Sequence, residues 1–199
     1  MATTPNYGWD TPDDTDFVSQ TAAYMRTLGD DIDATVYANQ NATGLILVKS
    51  QTIGTAVSSV TVTNAFSADY ENYKITISGG ALSTGTAALQ LQLGSSTTGY
   101  YNSRMGVNYS SATFEATSTN NGSSFATAGN STTDSIRMNI ELLQPFLAKH
   151  TIFSGARAST IQGDVLSGIH QVATSYTGFT ITPTSGTLTG GTIKVYGYK

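Results

Sequence analysis

At 199 residues the chain is long enough to bury a core without staples. It has no cysteine, which removes disulfide frameworks, thiolate metal sites and thiol nucleophiles. Charged residues make up 11% of it, against roughly 25% in an average soluble protein, so Ser, Thr and Asn carry most of the polarity. The net charge of -4 is uneven: residues 1–36 hold seven of the 13 acids and a single base, Arg26. An acidic leading segment, followed by a remainder without a basic cluster, argues against nucleic-acid binding. No apolar run approaches the roughly 18 to 20 residues of a membrane span, and the opening lacks a basic region followed by an apolar core, so neither membrane insertion nor a signal peptide is expected.

Residues 1–10 contain Pro5, Tyr7, Gly8 and the only tryptophan, Trp9, without helical or strand period, and suggest an extended arm. Thr11-Pro12-Asp13-Asp14 supplies a hydroxyl N-cap, proline at the first helical position and acids that favour the positive end of the helix dipole. From there Val18, Thr21, Met25, Leu28, Ile32 and Thr35 are spaced 3, 4, 3, 4, 3, the a/d pattern of a heptad repeat. The pattern predicts a helix to about Ala38, roughly 40 Å long at 1.5 Å per residue. Such a helix serves either as an oligomerisation stalk or as an amphipathic helix lying on the following domain. Phe17 and Tyr24 at g positions widen the stripe and favour a homotrimer or packing against a neighbouring protein. Gly29 costs roughly 1 kcal/mol against alanine and allows a bend or a close helix approach. The boundary is expected within residues 39–44, giving an arm and helix over 1–43 and a head over 44–199.

The head predicts about eleven short strands: 45–52, 57–63, 72–78, 87–93, 104–109, 112–117, 135–143, 150–156, 165–173, 178–182 and 191–198, most of them showing period-two alternation. With no internal repeat, they suggest a mainly β fold, an N-terminal helix followed by a jelly-roll-like antiparallel β-sandwich. Polar links at 94–101 and 118–124, the second containing Asn121-Gly122, are expected loops.

The opening Pro5-Asn6-Tyr7-Gly8-Trp9-Asp10-Thr11-Pro12, continuing to Leu28-Gly29-Asp30-Asp31-Ile32-Asp33, resembles the anchor arm and helix of bacteriophage virion proteins of the tail-fibre, baseplate and head-appendage type. The closing Gly191–Lys199 stretch looks like the last strand of phage β-sandwich appendages. The resemblance covers about a quarter of the chain. It implies a viral structural protein located in the virion and assembled in the host cytoplasm, with Tyr7, Gly8 and Trp9 as docking residues. It also implies other virion proteins as partners and host attachment as the role, as a trimeric tail fibre or baseplate appendage. A capsid decoration protein or head fibre is the alternative.

No cofactor is implied, and no catalytic or metal site emerges. His150 and His170 are not spaced as paired ligands. No strand-turn-helix elbow accompanies any serine. Glycoside hydrolysis needs two carboxylates flanking a cleft; the head offers only Asp69, Glu71, Glu115, Asp134, Glu141 and Asp164. A polysaccharide-degrading tail enzyme is therefore the minor reading, and a non-enzymatic protein the main one. Asp30, Asp31 and Asp33 are expected mainly to face water. Tyr100, Tyr101 and Tyr109 around one polar loop, with Tyr176 and Phe179 flanking another, suggest a surface that stacks host glycan rings. The same residues could instead cap the core or seal a subunit interface.

Overall fold

The computed structural model describes residues 2–12, 17–40 and 44–199. It divides into two units, one reaching to Gly44 and including Lys199, the other Leu45–Tyr198. In the first unit β1 (Ala2–Thr3) and β2 (Asp10–Thr11) pair antiparallel, with Ala2 opposite Thr11. The arm is therefore a small hairpin and not an extended segment. Thr4 and Gly8 N–H groups close its turn on the Trp9 and Thr4 carbonyls, and Gly8 sits at φ +69, a left-handed conformation that glycine adopts without a Cβ clash.

The expected helix start is corrected by the same pairing: Thr11 is a strand residue, so it caps no helix. Asp13 and Asp14 lie outside the described residues. Helical structure begins with a short 3-10 turn at Val18–Gln20, behind Phe17, which offers no side-chain oxygen as a cap. It continues as α1 (Thr21–Gln40). Gly29 lies within α1, and a Cβ there would meet nothing within 4 Å, so no close approach inside the unit requires this glycine.

The second unit is a large antiparallel β-sandwich. Its strands are β3 (Leu45–Thr52), β4 (Val60–Val62), β5 (Asn72–Ser78), β6 (Ala81–Leu82), β7 (Thr86–Leu93), β8 (Tyr100–Asn108) and β9 (Phe114–Gly122). They continue with β10 (Phe125–Thr132), β11 (Ile136–Leu143), β12 (Thr151–Ala158), β13 (Gln162–His170), β14 (Phe179–Pro183), β15 (Leu188–Thr189) and β16 (Thr192–Tyr198). Eight of them form a jelly roll: β3-β16-β5-β11 in one layer and β4-β14-β7-β10 in the other, the layers joined where β10 meets the start of β11. The first and last of the eight pair, as do the second and seventh, the third and sixth, and the fourth and fifth. That nesting is what folding one long hairpin over itself produces.

Two further hairpins are inserted, β8–β9 between β7 and β10, and β12–β13 between β11 and β14. They pair with each other through β13 and β8 and extend the first layer as β11-β12-β13-β8-β9. This four-stranded extension is called the wing below.

Period-two alternation explains the core. Tyr73, Ile75 and Ile77 of β5, Leu89, Leu91 and Leu93 of β7, Ile136, Met138, Ile140 and Leu142 of β11, and Ile193 and Val195 of β16 all turn inward and are buried. The sequence reading missed β10. Its residues 128–131 are Ala-Gly-Asn-Ser and all four are buried, because β10 lies at the joint of the layers and packs through small groups. The expected loop at 118–124 is mostly strand: β9 runs to Gly122, its register shifts opposite Tyr100–Asn102, and Asn121 takes φ +55 there.

Candidate functional site

Two regions carry the residues singled out in the sequence. The first is the hairpin and α1. Trp9 is half-buried; its Nε1–H donates to Thr35 Oγ1 at 2.9 Å, and Asp10 N–H donates to Asp31 Oδ2 at 3.2 Å. The hairpin is thereby bound to one side of α1, where Tyr24, Thr27, Leu28, Asp31 and Thr35 are half-buried. Asp31 is thus engaged rather than free in water. Tyr7 stacks on Trp9 with centroids 5.1 Å apart and remains 64% exposed, so of Tyr7, Gly8 and Trp9 the tyrosine is the accessible ring and the tryptophan serves the unit itself.

The predicted heptad stripe is divided by this contact. The d-position residues Leu28 and Thr35 are half-buried, as Thr21 is not. The a-position residues Val18, Met25 and Ile32 are 90%, 56% and 38% exposed, with Val36 exposed beside them. Sequence spacing placed all six on one heptad but could not show that the hairpin takes part of that surface, or that Val18 lies in the 3-10 turn ahead of α1.

The second region is the head. Tyr100 and Tyr176 are corrected as glycan contacts: both are buried, as is Phe179. Tyr100 OH accepts from Leu93 N–H at 2.7 Å, and its ring stacks on His170 at 4.1 Å. Tyr176 OH lies 2.7 Å from His170 Nε2. These aromatics cap the core. Burial pushes the Tyr100 phenol up to about 12 and pulls the His170 imidazole below its ordinary value. Tyr101 is half-buried on a shallow groove of about 440 Å³, which it lines with Ser103, Ser167 and Ile169, and Tyr109 stays exposed.

The carboxylates are mostly tied into the fold. Asp164 is fully covered: it accepts from Arg157 Nε at 2.6 Å, from Gln162 Nε2 at 2.8 Å and from Arg104 at 3.3 Å. Arg104 also reaches Glu115 at 3.6 Å. Gly106 opposes Asp164 across β8 and β13, and a Cβ there would overlap the carboxylate, so the strand must be bare at that point. A carboxylate engaged by two guanidiniums and an amide is covered and serves as an anchor for the arginines. Glu141 accepts from Tyr198 OH at 2.5 Å and pairs with Lys74 at 3.8 Å. Burial and that carboxylate push the Tyr198 phenol up to about 12. Among the described residues no group of three His, Asp or Glu side chains is placed to hold a metal ion, and no helix is long and apolar enough to cross a membrane.

No family model matches the chain, and neither a curated protein nor a solved structure is significantly similar to it.

Proposed function

We propose that this chain is a non-enzymatic structural protein of a bacteriophage particle, a homotrimeric tail-fibre or baseplate-type appendage that assembles through α1 and uses its jelly-roll head for host attachment. The observation that carries this reading is the row of exposed apolar side chains Val18, Met25 and Ile32, seven residues apart, with Val36 beside them. Full burial of a Val, Ile or Met side chain is worth about 1.5–3 kcal/mol, and heptad spacing keeps such a row facing a partner helix along its whole length. The Tyr7-Gly8-Trp9 hairpin bound to the helix supports the same reading through its resemblance to phage anchor arms. Tyr7 is then the docking ring, and Tyr101 and Tyr109 are the tyrosines accessible to a host glycan.

Sedimentation of the full chain tests assembly: a trimer is expected at micromolar concentration, and Met25→Asp with Ile32→Asp is expected to leave a monomer whose head unfolds at the same denaturant concentration. A monomer before substitution overturns the trimer. Antibody against the head, applied to particles of the phage encoding the chain, is expected to decorate them; bare particles overturn the virion role.

A further inference from the structure

The wing has two faces of opposite character. All four charged residues of its strands, Arg104, Glu115, Arg157 and Asp164, lie on the inner face. The outer face has no charge. Across its middle runs a ladder of serines in register, Ser154 opposite Ser167, Ser167 opposite Ser103, Ser103 opposite Ser118. None of the four hydroxyls makes a hydrogen bond to any of the described residues, whereas on the inner side Arg104, Arg157, Gln162 and Asp164 are joined in one polar network. On one side of the ladder lies the row Ala156, Val165, Met105, Ala116; on the other lie Ile152, Ile169 and Tyr101. Val165 is 61% exposed, and Met105, Val107 and Phe114 are exposed with it.

We infer that this outer face of the wing is a contact surface for the same face of a second copy of the chain. The pattern is apolar, hydroxyl, apolar. A two-fold axis lying in the plane of the face, either along the ladder or across it, sets serine rows over serine rows and apolar rows over apolar rows. Hydroxyls donate and accept, so a serine row complements itself, directly or through bridging water. An uncharged face also has no sign that a different partner must match, and an isologous contact requires this kind of self-complementarity. A sheet residue covers about 33 Å² on one face at the usual strand spacing and rise, which gives roughly 500 Å² for the four strands, below the roughly 800 Å² per partner of a standard stable interface. The contact is therefore weak and concentration-dependent. Because a two-fold pairing cannot close within a three-fold trimer, it joins copies from different assemblies. It does not depend on the helix reading: without assembly through α1 it gives a monomer–dimer equilibrium.

The absence of cysteine makes the test direct. Single cysteines at Ser167→Cys in the ladder and at Ser185→Cys, exposed in the loop after β14, are treated with a short bifunctional maleimide in the full chain. Cross-linked dimer is expected several-fold above the control for Ser167→Cys, both in the parent chain and with Met25→Asp and Ile32→Asp added, and it is expected to fall to the control level when Val165→Lys is added, with unchanged thermal unfolding. Equal cross-linking of Ser167→Cys and Ser185→Cys overturns the inference, whatever the helix does. Protection of Ser167→Cys from alkylation by host-envelope oligosaccharide, without cross-linking, also overturns it and assigns the face to glycan instead. Loss of the trimer on α1 substitution while ladder cross-linking persists separates the two contacts.

Discussion

The head turns its strand alternation into a closed core, whereas α1 leaves the a-position side of its heptad in water. Tyr73, Phe125, Phe153 and Phe179 are all essentially inaccessible, while Val18, Met25 and Ile32 are not buried to that degree by the described residues of their own unit. The head has two layers and can enclose side chains between them; a hairpin of two-residue strands and one helix cannot. Stability in this molecule therefore resides in the head, and the first unit's unspent apolar surface is available for association.

The largest expected effect that sharpens the contrast is Phe153→Ala. Phe153 stacks on Phe125 at 4.5 Å in a fully buried position, and its truncation should cost the head about 3–5 kcal/mol in urea unfolding, with no change in sedimentation of the folded protein. A loss of assembly at unchanged stability would break the division of labour.

Next in size is the response to pH. Tyr100 ionises near 10 when unfolded and at about 12 when folded, so its contribution is complete below pH 10 and is lost as pH rises toward 12, a change of up to about 2–3 kcal/mol. His170 has the opposite sign of shift: with its folded value lowered by burial, its contribution is present above about pH 6.5 and is lost as pH falls below that. Denaturant midpoints measured across pH should show a plateau between these limits and shoulders on both sides, and Tyr100→Phe should diminish the alkaline shoulder, leaving the part that belongs to Tyr198.

The smallest effect concerns the first unit. Thr35→Val removes the acceptor of the Trp9 indole N–H and should weaken hairpin docking by about 1 kcal/mol. Because Trp9 is the only tryptophan, a red shift of its emission reports this loss alone, and the head's unfolding midpoint should not move.

Several strands were legible because their alternation is strong: Leu45–Thr52 and Asn72–Ser78 have the bounds that the pattern predicts. Phe125–Thr132 was not, since its buried residues are small or polar and only its place between β7 and β11 makes it interior. The helix start misled for a related reason. Thr11-Pro12 carries good capping chemistry, yet pairing with Ala2 claims Thr11 for a strand. Tyr100 and Tyr176 sit beside polar loops in sequence, but the inward-facing parity of Tyr100 and the His170 partner of Tyr176 draw both rings into the core.

The sequence by itself determined which side chains share a face. Met105, Val107 and Tyr109 alternate with Arg104, Gly106 and Asn108, and the wing keeps those sets apart. It could not determine which set faces inward. Alternation is symmetric, and the usual rule would bury the apolar set; here Asp164 fixes Arg104 and Arg157 on the inner side, and one inward residue on a strand commits every second neighbour to the same side. The β12–β13 hairpin sets Arg157 opposite Asp164, and only its tertiary pairing with β8 brings Arg104 to the same carboxylate, so only the folded structure decided that the wing's apolar rows and serine ladder face outward.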